Sequence, residues 1–271
     1  MANLKKSVRS RGAVVFALNN GQTDYVAMAD QTSRLIKHTL GLPVTLITDI
    51  DSNPIFNYDK IIRVDIEGHS FKLDNATVKW RNFGRHLVYD LSPYEETLLL
   101  DSDYAVFDDN LLKLFATDFD YRLMHHNVTD SGPLYEEMGE TSLPFVWATV
   151  VAFRKTTRAQ LFFELIGRIQ RNYHYYRALY NVREGNFRND YAFAIANIIM
   201  SGYDINADQG IPWAMYTLEK PVVSIKPTKN FLHIRYADSA TVVPYQDIHV
   251  MDKEYLLSND FEQLVGAICE S

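Results

Sequence analysis

Residues 96–107 read E-T-L-L-L-D-S-D-Y-A-V-F: an apolar run climbs into two aspartates one residue apart and then turns apolar again. Two carboxylates this close repel each other, and removing them from water is costly unless positive charge sits between them. The chain's other Asp-x-Asp pairs, Asp49/Asp51 and Asp118/Asp120, lack strongly apolar sequence on both sides. Asp101 and Asp103 therefore belong at the end of a buried strand. Oxygen ligands of this kind suit a hard divalent cation, Mg²⁺ or Mn²⁺, which commonly bridges carboxylates to substrate phosphates. Positive charge shared between the pair and a diphosphate would neutralise a departing nucleotide. The plainer alternative is a turn, or a helix cap at Asp108-Asp109-Asn110-Leu111.

The surrounding elements give the pair its place. Residues 13–18 (A-V-V-F-A-L) form a continuous apolar run, as expected of a strand buried on both faces in a parallel sheet. Residues 25–40 carry Val26, Ala29, Leu35, Ile36 and Leu40 at helical spacing and stop at Gly41. Further strands are expected at 43–48, 61–64 and 97–100, with a helix at 79–91 halted by Ser92-Pro93. This rhythm predicts an α/β fold with a mostly parallel central sheet flanked by helices. Ligands of such sheets bind just outside the carboxyl ends of the strands, so Asn19, Asp49 and Asp101 would line one edge. After residue 110, short elements at 111–115 and 121–125 precede a polar loop at 127–143. A strand is expected at 146–153, helices at 158–172 and 190–200, and late strands at 222–225 and 231–234. Asn259 and Glu262 stand at capping-box spacing for a last helix over 259–268. The expected organisation is a single domain with a nucleotide-binding half (12–109), an acceptor-binding half (110–257) and a C-terminal helix (258–271).

Composition narrows the classes. A net charge of −7 argues against a generic nucleic-acid coat but leaves room for a local basic patch. The lone cysteine, Cys269, excludes an internal disulfide and a multi-cysteine zinc site. The apolar stretch after the basic N-terminus is too short for a signal core. The longest other apolar run, residues 144–153, is about half of what a membrane helix needs. A soluble, cytoplasmic protein without a membrane partner is expected.

Taken in order, the nucleotide-binding strand, the basic segment with Lys79, Arg81 and Arg85, and the run L-L-L-D-S-D-Y-A-V resemble the GT-A glycosyltransferases. The likeness is greatest to the glycogenin-like and lipopolysaccharide galactosyltransferase-like group, whose fold is Rossmann-like. It implies metal-dependent transfer of a sugar from a nucleotide-sugar, a UDP-sugar in the first instance, to an acceptor hydroxyl. It implies that Asp103 is the main ligand of Mn²⁺ or Mg²⁺ and that Asp101 shares the metal or holds the ribose. Lys79, Arg81 or Arg85 would meet phosphate or sugar. Ala17, Leu18, Asn19 and Tyr25 would contact the base, with Ser102 also on the donor side. The stretch F-R-N-D-Y-A (187–192) is similar to the family's Asn/Asp-Asp-Gln region, which implies that Asp190 orients sugar or acceptor; a helix cap is the alternative. F-L-H-I-R (231–235) puts His233 where the family often has a third metal ligand, against the alternative of a structural histidine. The family's late His-x-x-Gly-x-x-Lys-Pro-Trp stretch does not follow His233, although Arg235 could replace its lysine. Its Asn-x-Gly is replaced by Trp147-Ala148-Thr149. Stereochemistry is left open.

Residues 151–190 concentrate basic side chains, Arg154, Lys155, Arg171 and Arg188 among them, interleaved with tyrosines. Two readings stay open: a solvated helix face with tyrosines packed inward, or an anionic acceptor surface. On the second, the chain resembles phage glycosyltransferases that place sugars on modified bases of DNA. The rival enzyme is a haloacid-dehalogenase-type phosphatase with Asp101 as nucleophile. Against it, Ala105 replaces the expected Thr or Val and two βα units come first, while Asp204/Asp208 faintly matches its metal motif. A non-catalytic nucleotide-sugar-binding module is the third reading.

Overall fold

Strand β1 (Arg11–Phe16) is buried from Gly12's neighbour Ala13 onward, and every residue of β2 (Val44–Asp49) is buried. Between them α1 (Tyr25–Leu40) begins at Asp24, whose carboxylate accepts the Ala27 N–H at 3.0 Å. β3 (Lys60–Val64) adds a third strand parallel to β2. The computed structural model describes residues 9–66, 69–73, 76–80, 82–141, 143–204 and 209–270.

The segment expected to be one helix over 79–91 is built otherwise. β4 (His69–Leu73) and β5 (Ala76–Trp80) form an antiparallel pair, followed by a 3₁₀ segment (Asn82–Leu87) and the short helix α2 (Val88–Leu91). Thr77 and Val78 favour a strand, and Gly84 weakens a helix. Gly84 is also required by contact: a Cβ there would come within 2.6 Å of the Ile66 Cδ1. Lys79 therefore lies on a strand, and Arg81 lies outside the described residues.

β6 (Glu96–Leu100) returns to pair in parallel with β1 on the side away from β2. The chain continues through β7 (Tyr104–Ala105), a second 3₁₀ segment (Asn110–Ala116), β8 (Tyr121–Met124), β9 (Asn127–Thr129), β10 (Gly132–Pro133) and β11 (Trp147–Arg154). The central six-stranded sheet runs β3-β2-β1-β6-β11-β8, with β11 antiparallel to its neighbours. The order reverses between β1 and β6, which makes that point the crevice where such sheets bind ligands. Alternate residues serve opposite faces. Ala13, Val15, Leu98 and Leu100 pack with Val26, Ala29 and Ile36 of α1. Val14, Phe16, Leu99 and Phe153 pack with Phe162 and Phe163 of α3 (Thr157–Arg171) and Phe193 further along the chain. Helices α4 (Tyr173–Leu179) and α5 (Asn189–Met200) follow.

The remaining strands are β12 (Met215–Leu218), β13 (Val222–Pro227), β14 (Phe231–Tyr236), β15 (Ala240–Pro244) and β16 (Ile248–Val250). A second sheet has the order β10-β9-β12-β16-β7, and a third joins β13, β14 and β15. Helices α6 (Lys253–Leu256) and α7 (Asn259–Cys269) close the chain, with α7 against α1 and β13. Ser258, not Asn259, caps α7 by accepting the Phe261 N–H at 3.3 Å. Among the described residues no helix is long and apolar enough to cross a membrane.

Two features lock the sheet at its far end. Gly12 has no side chain because the Tyr94 ring lies 2.3 Å from where a Cβ would stand; the Tyr94 hydroxyl in turn meets Thr45 Oγ1 at 2.8 Å. Beside it, Arg11, Glu96 and Arg154 are register partners across β1, β6 and β11. Buried Glu96 accepts from Arg11 Nε at 2.6 Å and from Arg154 Nε at 2.8 Å. Arg154 also donates to Asp118 Oδ1 at 3.0 Å and to the carbonyls of Phe115, Thr117 and Phe119. All its hydrogen-bonding capacity is spent on the fold, so Arg154 is not an acceptor contact. Burial alone would raise the Glu96 carboxyl, but Arg11 and Arg154 outweigh it and hold Glu96 below its ordinary value.

Glu96→Gln should cost about 3–5 kcal/mol at neutral pH, because Arg11 loses its counter-charge and buried Arg154 keeps only the exposed Asp118. A carboxylate with a depressed folded-state pKa stabilises above its unfolded value and loses that contribution as pH falls. Urea unfolding of both proteins should therefore show the difference shrinking below about pH 4.3; a pH-independent difference would contradict the ionic account.

Candidate active site

Asp101 leaves β6 with its N–H donated to Thr149 O at 3.0 Å, and its own carbonyl accepts the Tyr104 N–H at 3.2 Å, closing a tight turn around Ser102 and Asp103. Its Oδ1 is taken by Nη1 of Arg85, an arginine only 1% exposed. Arg85 Nη2 donates to Ala148 O at 2.7 Å. Ala148 lies where β11 slips register against β8, between Trp147 and Val151. A bulge of this kind turns a peptide out of the ladder and is frequent beside functional sites. The freed Ala148 N–H donates to Asp190 Oδ1 at 3.0 Å, and Arg188 Nη2 holds Asp190 Oδ2 at 3.0 Å. The backbone of one residue thus joins Asp101, through Arg85, to Asp190. Asp190 is in the first turn of α5 but spends its carboxylate on another element, so it is no cap of its own helix. Arg85 sits beneath Asp101 as its counter-charge rather than reaching out freely. Burial pushes the Asp101 carboxyl above its usual range, Arg85 opposes this, and Asp103 adds to the rise.

Asp103 meets partners that its neighbouring sequence does not reveal. β16 pairs antiparallel with β7, placing His249 opposite Tyr104, and the Val250 N–H donates to Asp103 O at 2.9 Å. Asp103 Oδ2 accepts from Lys253 Nζ, and His249 Nε2 stands 3.5 Å from the same oxygen. Asp103 Oδ1 is buried without a partner. Burial would raise this carboxyl, but Lys253 and then His249 overcome it and hold Asp103 far below the usual carboxylate range. Burial lowers the Lys253 ammonium, and Asp103 more than compensates. On the far side of the imidazole, Nδ1 lies 3.2 Å from Thr217 Oγ1, whose hydroxyl donates to Asn127 Oδ1 at 2.8 Å. With that proton committed, Thr217 accepts from His249 Nδ1–H, and Nε2 is directed at Asp103. The sequence signal for these two residues was His249-x-x-x-Lys253, a shorter spacing than the family's His and Lys. His233, the histidine expected at the metal, is instead exposed in the middle of β14, paired with Lys226 and Val242.

Two cavities meet at these residues. One, of about 270 Å³, is walled by Phe16, Ala17, Leu18, Asn20, Tyr25, Asn82, Asp101, Ser102, Asp103 and Lys253. It opens at the sheet's reversal point between β1 and β6. Asn19 is not in its wall: it donates through its N–H to Asp49 Oδ2 and through Nδ2 to Asp24, and its Oδ1 takes the Val26 N–H. Asn19 fastens the start of α1. The other cavity, of about 460 Å³, shares Asn82 and Asp101 and continues past Arg85, Ala148, Arg183, Phe187, Arg188, Asn189 and Asp190. Lys155 lies over the Tyr89 ring at 4.5 Å, and Arg171 lines a separate cleft with His86 and Arg168; neither borders the two cavities.

Among the described residues, no three carboxylate, imidazole or thiolate side chains are arranged to hold a metal ion by themselves. The unpartnered Asp103 Oδ1 and the His249 Nε2 aimed at Asp103 fit a hard divalent cation whose remaining ligands are phosphate oxygens.

No protein-family model matches the chain, and no curated protein matches it. Among solved structures, the glycosyltransferase GlyE of Streptococcus pneumoniae TIGR4 is similar, with 17% identity and a TM-score of 0.42 over 76% of this chain and 45% of that one. The apo form of GlyE gives 18% identity and a TM-score of 0.40 over 74% and 45%. The apo structure of the bifunctional glycosyltransferase WbbM gives 12% identity and a TM-score of 0.36 over 59% and 34%. The chain spans less than half the length of each of these structures.

Proposed function

We propose that this chain is a glycosyltransferase that moves a sugar from a nucleotide-sugar, with UDP-sugars as the donor class, to an acceptor hydroxyl, assisted by Mn²⁺ or Mg²⁺. The observation that carries this reading is the pair of cavities meeting at Asp101. One is bounded by Phe16, Ala17, Leu18 and Tyr25 and by Lys253 beside the paired carboxylates, and the other is lined by Asp190. A base and ribose would lie against Ala17, Leu18 and Tyr25, leaving the diphosphate toward Asp103 and Lys253. Asp103 and Asp101, with His249, are the residues that would hold the metal. Bound there, the metal would supply positive charge to the diphosphate leaving group. Lys253 adds a second positive charge to the same oxygens once it turns from Asp103. Asp190, with both oxygens fixed by Ala148 N–H and Arg188, acts as an oriented acceptor for sugar hydroxyls. Arg183 and Arg188 in the second cavity favour an acceptor with phosphate near its hydroxyl, and DNA bearing hydroxymethylated bases is the first class to screen.

In the phosphatase alternative Asp101 would have to attack through Oδ2, since Arg85 occupies its Oδ1. Of its second metal motif, Asp208 lies outside the described residues.

Thermal melts with UDP or GDP, with and without Mn²⁺, test the donor class. Ligand at a hundredfold excess over Kd should add about 2.7 kcal/mol of stability, and only for one nucleotide together with the metal. Asp103→Asn should remove that metal-dependent gain; normal UDP–Mn²⁺ binding by this variant would sink the assignment. Lys253→Met should weaken UDP roughly ten- to hundredfold, as loss of a charge-assisted hydrogen bond would, and leave uridine unaffected in calorimetric titration. Equal losses for both ligands would place Lys253 away from the phosphates.

A further inference from the structure

In the basic segment that stands out in the sequence, residues 151–190, four of the eight Lys and Arg side chains are paired within the protein. Arg154 is buried in its clamp, Arg177 pairs with Glu184, Arg183 with Glu136, and Arg188 with Asp190. Among the described residues, further cations without an ion pair lie outside this segment. Residues 220–245 hold four Lys or Arg against one carboxylate, Asp238, in a chain of net charge −7.

Three of them, Lys226, Lys229 and Arg235, belong to the three-stranded sheet β13-β14-β15 and its turn, while Lys220 lies over the Tyr236 ring. Along β14, Leu232, Ile234 and Tyr236 are buried, while Phe231, His233 and Arg235 face solvent. Directly paired residues share a face, so Lys226, His233 and Val242 form one cross-strand row spanning about 10 Å. Lys229 stands exposed in the turn before Phe231. Phe231 is 47% exposed and Val242 55%, large apolar groups left open among charges. Among the described residues, Lys226, Lys229 and Arg235 form no ion pair, and Asp260, which lines the cleft beside Lys226 and Arg235, engages neither. None of these side chains borders the two cavities of the candidate active site.

We propose that this sheet face binds single-stranded nucleic acid, with Lys226, Lys229 and Arg235 on successive phosphates and Phe231 stacked against a base. Cations that follow a backbone and an aromatic ring with an open face are the combination such strands require. The excess of acid elsewhere on the chain confines the strand to this face. Binding there needs neither a nucleotide-sugar nor sugar transfer.

Fluorescence anisotropy with a labelled oligothymidylate about 16 nucleotides long tests this. The wild-type chain should bind it, with a slope of log affinity against log salt of about −2, as three neutralised phosphates give for a single strand. Lys226→Glu combined with Arg235→Glu should abolish binding. Phe231→Ala should weaken it about tenfold and leave the salt slope unchanged. Melting temperature and the UDP–Mn²⁺ response, read in the same samples, should be retained by both variants, which separates loss of this surface from loss of the fold or the donor site. Absence of binding at low salt, unchanged binding by the double variant, or equal binding to dextran sulfate or to phosphatidylserine vesicles would overturn the proposal.

Discussion

The arrangement depends on one buried cation. Arg85 is almost wholly removed from water, and an arginine there is tolerable only if its guanidinium is matched by charge and by acceptors. Asp101 supplies the charge and the Ala148 carbonyl the acceptor. Both exist in the right place because β6 ends at Asp101 and because β11 bulges at Ala148. The 3₁₀ segment that carries Arg85 follows from Gly84, whose missing side chain lets the backbone settle against Ile66.

The two aspartates of the opening motif solve their mutual repulsion separately. Asp101 leans on Arg85, while Asp103 leans on Lys253 and His249, which arrive from the other end of the chain. Their titrations are accordingly driven apart, Asp101 upward by burial and Asp103 downward chiefly by Lys253. Such divergence between neighbouring carboxylates is a mark of functional sites.

What the sequence made legible was local. The continuous apolar runs of β1 and β2, the helical stripe of α1 and the place of Asp101 and Asp103 at the end of β6 follow from periodicity and strand burial. The hairpin of β4 and β5 was hidden because Lys79 to Leu91 carries helix-compatible spacing, and β-branched Thr77 and Val78 decided otherwise. His249 and Lys253 were hidden for a different reason. They reach Asp103 only because β16 pairs with β7 across more than half the chain, and no local pattern encodes that pairing. His233 looked equivalent by composition, yet strand alternation turned it to solvent. Arg154 looked like part of a basic surface until its register with Glu96 placed it inside.

The Ala148 backbone gives the site an unusual kind of fragility. Because its N–H and its carbonyl, rather than a side chain, join Asp190 to Arg85, the connection is indifferent to which small residue stands at 148. It is sensitive instead to chain length. Deleting or inserting one residue between Trp147 and Val151 would turn this backbone segment back into the ladder and release both carboxylates at once. Lineages of such a protein could exchange small residues at 148 while the residue count of this buried strand stayed fixed.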